Sequence, residues 1–170
     1  MPPGLVALEG DGSGVDGGGA DGDGAGARAV GADGGGADGD GAGARAVGWV
    51  SLGLRADFER IVRSKVIPTI DDRPVWSIVC FAVSASARGR GVARTLLEGA
   101  IAYARDRGAE ALEAYPVVIE DGEGIQAESA FTGTLPMFEK LGFTIVAERA
   151  SDPSASHLRV VVRRELGPRG

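Results

Sequence analysis

Residues 84–93, SASARGRGVA, combine small residues with two glycines and two arginines in a stretch that could bind an anion. Gly89 and Gly91 would let the backbone approach a phosphate closely, and Arg88 and Arg90 would add positive charge. If a helix begins directly after them, its free backbone N–H groups and its dipole favour the same kind of ligand. The residue types and their spacing therefore indicate a phosphate-binding turn.

Other glycine-containing motifs explain this stretch less well. A dinucleotide fingerprint requires G-x-G-x-x-G, but Arg94 stands at the position of the third glycine. The sequence contains no G-x-x-x-x-G-K-[ST] phosphate loop. An RGG-type RNA-binding segment would be disordered and would lack a following helix. The alternative to a phosphate-binding turn is an ordinary strand-to-helix turn that needs glycine for its conformation and binds no ligand.

The flanking residues predict the elements that would position this turn. Residues 75–83, VWSIVCFAV, are nearly all apolar or β-forming, which is typical of a strand buried on both faces. After the turn, apolar residues recur at spacings of three and four, which predicts an amphipathic helix. Gly108 stands where the C-terminal cap of that helix would lie. The predicted apolar face consists of Val92, Leu96, Leu97, Ala100, Ile101 and Ala104.

The remaining patterns predict a mixed sheet with helical crossovers. We expect the first two strands to form a hairpin and the last two to form an antiparallel pair at the end of the sheet. Pro116 interrupts the strand predicted at residues 111–118. Pairing must end, bulge or splay there because proline cannot donate to a ladder. Strands are predicted at residues 5–8, 46–52, 111–118, 143–147 and 158–162, and a short helix at residues 134–141.

Two motifs carry a resemblance to a known family. Residues 88–93, RGRGVA, match the R/Q-x-x-G-x-G/A signature of the GNAT family of acyl-CoA-dependent N-acyltransferases, with a strand before it and a helix after it. Residues 137–143, MFEKLGF, resemble the second motif of that family, a short helix ending in L-G-F. The similarity covers residues 46–165. Family members usually begin with a strand and one or two helices, whereas the first predicted strand here begins by Leu5.

The resemblance implies a GNAT-like fold of the α/β (α+β) class, with a splayed, mostly antiparallel sheet flanked by helices. It also implies direct transfer of an acetyl group from acetyl-CoA to an amine, without a metal. The backbone of the turn would hold the pyrophosphate, and the main chain of the preceding strand would bind the pantetheine arm. The cofactor-binding residues by this carry-over are Phe81, Ala82, Val83, Arg88, Gly89, Arg90, Gly91, Val92 and Ala93.

The chain departs from the family at the expected general acid. Many members use a tyrosine of the second motif to protonate the leaving thiolate, and the matching residue here is Phe138. Tyr115 is a substitute acid, and Glu113, two residues earlier on the same strand face, is a candidate base. If neither residue is catalytic, Tyr115 is a packed side chain with a solvated hydroxyl and Glu113 is a solvated carboxylate. A backbone N–H near Ala82 would stabilise the developing oxyanion.

A duplicated segment dominates the composition. The sequence DGGGADGDGAGARAVG occurs at residues 16–31 and again, unchanged, at residues 33–48. An EF-hand loop would need an acidic residue at Ala25 and a glutamate at Ala32, so specific calcium binding is disfavoured. Because glycine-rich, apolar-poor chains do not repay the entropy of ordering, we expect residues 10–48 to be a disordered loop insertion between two strands. Deleting one copy should then leave the fold and CoA affinity unchanged.

Composition bounds the class of protein. The chain has 170 residues, a formal net charge of −6 and one cysteine, Cys80, which we interpret as inert core. The length favours a single domain, residues 1–170. No apolar run approaches the roughly 20 residues of a membrane span, and the start has no basic n-region. We therefore expect a cytoplasmic protein without nucleic-acid or membrane partners.

Three functions stay open from the sequence. The first is an N-acetyltransferase that acts on a small-molecule or peptide amine, as a monomer or a homodimer. The second is a non-catalytic GNAT-like module that binds CoA or a partner protein, which Phe138 and the missing N-terminal elements favour. The third is a calcium-responsive protein that depends on the repeat. The sequence does not identify the acceptor.

Overall fold

The structure is a computed structural model. It describes residues 4–9, 27–31, 45–118, 131–148 and 158–167.

The described residues contain one seven-stranded sheet. Its strands are Gly4–Glu9 (β1), Ala27–Gly31 (β2), Arg45–Leu54 (β3), Trp76–Val83 (β4), Ala111–Ala114 (β5), Thr144–Glu148 (β6) and Val160–Glu165 (β7). The strand order is β2-β1-β3-β4-β5-β7-β6. Every neighbouring pair is antiparallel except β4 and β5, which are parallel. This sheet confirms the predicted mixed α/β fold with mostly antiparallel pairing.

Helices and a long connection cover the two faces of the sheet. Helix α2, Val92–Asp106, packs on one face, and its six buried residues are the six predicted apolar ones. Gly108 has a φ of 77° and completes a C-terminal cap, in which the N–H of Ala109 donates to the carbonyl of Ala104 at 3.0 Å. The connection from β3 to β4, which includes helix α1, Glu59–Val62, packs on the other face. Helix α3, Leu135–Glu139, precedes β6.

None of the helices in the described parts of the chain is long and apolar enough to cross a membrane.

Strands β4 and β5 pair over three residues only and then separate. The parallel register ends where Ile78 lies opposite Ala114. In β4 the next residue, Val79, is a β-bulge, because β3 pairs with Ile78 and then with Cys80. Beyond β5, the main chain of Pro116 faces β7, where its carbonyl accepts from the N–H of Val160 at 3.3 Å, and the main chain of Val117 faces the gap. The splaying predicted near Pro116 is present between β4 and β5 and leaves a gap, but the missing N–H of Pro116 is not its cause, because pairing with β7 continues past that residue.

The predicted loop over residues 10–48 contains an additional strand. Residues 27–31 form β2, which pairs with one edge of β1, while β3 begins at Arg45 and pairs with the other edge. The tetrapeptide RAVG of the first copy thus lies on one side of β1, and the same tetrapeptide of the second copy lies on the other side. The rest of the predicted loop before Arg45 lies outside the described residues.

Helix α2 carries a glycine where β2 packs against it. A Cβ built on Gly99 would lie 2.5 Å from the Cβ of Ala29 in β2 and 3.5 Å from Cδ1 of Leu5. A glycine within a helix costs about 1 kcal/mol relative to alanine. The close contact with Ala29 explains why a glycine stands here despite this cost, because any side chain at Gly99 would push β2 away from the helix.

An ion-pair network fixes the β3–β4 connection to the sheet. Arg163 of β7 is 6% exposed and donates to Oε1 of Glu113 from Nη2 at 2.6 Å and from Nε at 3.1 Å. Its Nη1 also donates to Oδ2 of Asp71 at 2.5 Å. Arg55 adds a third contact, with Nε 3.8 Å from Oε2 of Glu113. Because Asp71 and Arg55 belong to the connection, these contacts tie it to β5 and β7.

We expect Gly99→Ala to have opposite effects in two backgrounds. In the full chain the new methyl group displaces β2, and the midpoint of thermal unfolding falls. In a chain that lacks residues 16–32, and hence β2, the same change removes only the cost of a helical glycine, and the midpoint rises by about 2–4 °C. Circular dichroism melts of the four proteins measure both effects. A rise in both backgrounds would show that β2 does not pack on α2.

We expect Asp71 to make stability depend on pH in acid. Its hydrogen bond to Arg163 lowers the pKa of Asp71 from 3.8 to about 2. Since the folded-state pKa is the lower one, the contribution of Asp71 is complete above about pH 4 and is lost as the pH falls towards 2. Asp71→Asn should therefore lower the urea midpoint at pH 6 and flatten its dependence on pH.

Asp72→Asn is the matched control for this measurement, because it removes the neighbouring carboxylate and leaves the Arg163 ion pairs in place. Equal pH profiles for the wild type and Asp71→Asn would contradict the prediction.

Candidate functional site

The predicted anion-binding turn joins β4 to α2. A single 3-10 turn, Ala85–Ala87, follows the strand, and Gly91 is the residue before the first residue of α2. Gly89 and Gly91 have φ values of 74° and 78°, which disfavour any residue with a side chain. A Cβ built on either glycine would meet no atom within 4 Å. Both glycines are therefore required by backbone conformation, and the space beside them is open to a ligand.

A cavity of about 220 Å³ lies beside this turn, on the α2 side of the gap between β4 and β5. It is lined by Phe81, Val83, Ala87, Arg88, Gly89, Gly91, Val92, Ala93, Gly133, Thr134 and Met137. Seven of the nine residues predicted to bind a cofactor are in this lining. Arg88 and Thr134 carry its two polar side chains, and the rest of the wall is apolar or backbone.

Two of the nine predicted residues point elsewhere. Ala82 lies opposite Trp49 of β3 and does not line the cavity. The guanidinium of Arg90 pairs with Glu9 at the end of β1, with Nη1 3.3 Å from Oε2. The charge of Arg90 is thus partly compensated, and Arg88 is the arginine that faces the cavity.

The pairing of β4 with β3 decides which backbone N–H of β4 points into the gap. The N–H of Ser84 donates to the carbonyl of Val47 at 2.8 Å, so by alternation the main chain of Ala82 also faces β3. The N–H of Phe81 faces the gap instead, and it donates to the carbonyl of Phe131 at 2.6 Å. Among the backbone N–H groups near Ala82, where the sequence predicts an oxyanion donor, the N–H of Phe81 is the one that faces the gap.

The segment before α3 bridges the gap between the separated strands. The N–H of Val117 donates to the carbonyl of Gly133 at 3.2 Å, and the N–H of Leu135 donates back to the carbonyl of Val117 at 3.0 Å. Gly133 has a φ of 74°, and a Cβ there would lie 2.7 Å from Cε of Met137. These bonds fix the position of Gly133 and Thr134 in the cavity wall, a contribution that local sequence patterns did not indicate.

Phe138, which the resemblance matches to a tyrosine, is a core residue. Its side chain is fully buried, with its ring centroid 6.0 Å from that of Phe81 and 5.2 Å from that of Phe143. It supports the cavity wall from behind and offers no polar group to a ligand.

Glu113 and Tyr115 lie together on the face of the sheet opposite α2. They are 1% and 3% exposed, and the Tyr115 hydroxyl lies 3.4 Å from Oε2 of Glu113 and 2.8 Å from Oγ of Ser77. Burial raises the pKa of Tyr115 to about 12, against the opposing effect of the Ser77 hydrogen bond. Neither residue lines the 220 Å³ cavity, and the ion pair with Arg163 already engages Glu113.

Solved structures similar to this one are acetyltransferases. Histone acetyltransferase HPA2 and related acetyltransferase from Corynebacterium glutamicum is 22% identical, with a TM-score of 0.48 over 85% of this chain and 63% of that one. The ribosomal-protein-S18-alanine N-acetyltransferase from Escherichia coli is 14% identical, with a TM-score of 0.46 over 74% and 64%. Nourseothricin acetyltransferase is 18% identical, with a TM-score of 0.44 over 71% and 58%. The chain thus spans less than two thirds of the length of these proteins.

Sequence comparison identifies the family. No curated protein matches the sequence. The family model described as Acetyltransferase (GNAT) family matches residues 36–143, which is more than half of the 170-residue chain and includes the turn, α2 and the L-G-F motif. The chain therefore belongs to the GNAT acetyltransferase family.

Proposed function

We propose that this protein is an N-acetyltransferase that moves the acetyl group of acetyl-CoA directly to an amine. The observation that carries the proposal is the cavity at the gap between β4 and β5, which has the phosphate-binding turn in its wall. The acceptor class, a small-molecule amine or a peptide amine, stays open in this proposal.

The residues of the cavity fit the chemistry of acetyl-CoA. The open backbone at Gly89 and Gly91, with Arg88 beside it, suits the pyrophosphate. The apolar wall formed by Phe81, Val83 and Met137 suits the pantetheine arm. Once bound, acetyl-CoA supplies an acyl group activated as a thioester.

The proposed contribution of the protein is positioning and electrostatic stabilisation. The N–H of Phe81 points into the gap, where it donates to the carbonyl of Phe131, and the thioester oxygen would take the place of that carbonyl. Such a donor in a water-poor site stabilises negative charge that develops on that oxygen. Holding the amine against the acyl carbon lowers the entropic part of the barrier. Tyr115 stays protonated at neutral pH, but its hydroxyl is bonded to Ser77 and Glu113 on the sheet face opposite the cavity, so we assign it no role in the transfer.

A non-catalytic module that binds CoA is the second candidate. Two observations favour it: Phe138 is buried without a polar group, and Glu113 is held in the ion pair with Arg163. Binding and turnover must therefore be measured separately.

We expect Gly91→Glu to weaken acetyl-CoA binding more than tenfold, because a side chain at that φ strains the turn and its carboxylate repels the pyrophosphate. Arg88→Ala should weaken binding about tenfold through loss of a charge-assisted hydrogen bond. Calorimetric titration with acetyl-CoA measures both losses. Gly167→Glu is the matched control, since Gly167 has a φ of 74°, meets nothing within 4 Å of a built Cβ and does not line the cavity. Failure of the wild type to bind acetyl-CoA would refute the proposed function.

We expect release of free CoA thiol when acetyl-CoA is mixed with a panel of small amines and peptides, and loss of that release in Gly91→Glu. A thiol-reactive chromophore follows the reaction, and mass spectrometry of the acceptor identifies the acetylated nitrogen. Tight binding of acetyl-CoA without turnover on any amine would instead support the non-catalytic module.

A further inference from the structure

We propose that the hydroxyl of Thr134 donates a hydrogen bond to the sulfur of CoA as it leaves as a thiolate. This inference rests on the proposed function and names a catalytic group for it. It addresses the question that Phe138 raises, namely which side chain stabilises the leaving group when the expected tyrosine is missing.

Thr134 lies in the wall of the cavity that also contains Phe81 and the turn. Arg88 and Thr134 are the two polar side chains in that wall, and they come from different elements. Because Arg88 belongs to the phosphate-binding turn, Thr134 is the polar side chain that remains for the acyl and sulfur end of the ligand. Its half-buried position would shield a hydrogen bond from water.

The hydroxyl of Thr134 is not used in capping helix α3. A threonine before a helix usually accepts a hydrogen bond from the N–H of the second or third helical residue. Here the second residue is Pro136, which has no N–H, and the N–H of Met137 donates to the main-chain carbonyl of Thr134 at 3.1 Å. Thr134 accordingly makes no side-chain capping bond. Its hydroxyl stays available to a ligand.

The backbone at Thr134 is held in place on both sides. Gly133 and Leu135 each bond to Val117, at 3.2 and 3.0 Å, and Thr134 itself bridges to Val117. Thr134 itself is extended, with a φ of −108° and a ψ of 147°, and it directly precedes the first residue of α3. These bonds keep Thr134 in the cavity wall, four positions before Phe138 in the sequence.

The chemistry of the leaving group makes a hydrogen bond sufficient. The amine nitrogen attacks the thioester carbon, the new C–N bond forms, and the C–S bond breaks with its electron pair going to sulfur. The proton lost by the amine passes to water, and the thiolate takes up a proton from water. An ordinary thiol has a pKa of about 8.5, so the thiolate is a weak enough base to leave without prior protonation. A charge-assisted hydrogen bond from the hydroxyl stabilises it further.

The test compares Thr134→Val, which keeps the shape and removes the hydroxyl, with Thr134→Ser, which keeps the hydroxyl. The first measurement follows the ultraviolet absorbance of the thiolate during pH titration of bound CoA, with the titration of the protein alone subtracted to remove Cys80. Thr134→Val should raise the pKa of the bound thiol by about 1, and Thr134→Ser should restore it. In the transfer assay, Thr134→Val should lower kcat about tenfold and leave KM for acetyl-CoA unchanged.

Desulfo-CoA, which lacks the thiol, is the matched ligand for this test. Its affinity should be the same for the wild type and Thr134→Val, because no sulfur is present to accept the bond. A similar loss of affinity for desulfo-CoA and CoA would overturn the inference in favour of a packing role. An unchanged thiol pKa and kcat in Thr134→Val would overturn it and leave the proposed function standing. A wild type that binds neither compound would overturn both.

Discussion

The separation of β4 from β5 is the constraint on which the candidate site depends. Parallel pairing stops at Ile78 and Ala114, where the bulge at Val79 interrupts the ladder. Buried backbone groups released in this way must find other partners. The segment before α3 supplies them, through the carbonyls of Phe131 and Gly133. The cavity is what remains open beside this bridged gap.

The bulge also decides which side chains face the cavity. Ile78 and Phe81 are three residues apart, yet both pack in the core beneath α2, which regular alternation along a strand would not allow. The extra residue, Val79, packs on the opposite face with Tyr115. By re-aiming Phe81 towards α2, the bulge also turns its N–H into the gap. One inserted residue therefore sets both the wall of the cavity and its backbone donor.

The elements that local periodicity encodes were predictable from the sequence. The six buried residues of α2 follow from their spacing alone, and a glycine turn before that helix follows from Gly89 and Gly91, whose positive φ values only the structure shows. Strand β2 could not be predicted from the sequence, because the glycine-rich composition around it argues against order. It forms because the edge of β1 can pair with it and because Gly99 leaves room for Ala29.

Contacts between distant residues explain most of what sequence patterns missed in the site. Asp71 and Arg163 are 92 positions apart, and Glu113 and Arg163 are 50 apart, so no local spacing indicates that these charges meet. Glu113 was considered as a base on its residue type, and only the fold reveals how Arg163 engages it. The sequence predicts Thr134 only as the start of a helix, whereas its place in the cavity wall depends on pairing with Val117.

Charge compensation affects one of the two arginines of the predicted anion-binding turn. Glu9 ends β1 and pairs with Arg90, and Arg45 begins β3 and donates to Oγ of Ser86 at 3.3 Å. Glu9 and Arg45, which flank residues 10–44 in the sequence, therefore both contact the turn. With Arg90 partly neutralised, binding of a phosphate there would depend on Arg88 and on the backbone N–H groups that lead into α2. Directional donors of this kind recognise the shape of a phosphate group and do not require a net positive surface, which is consistent with a chain of net charge −6.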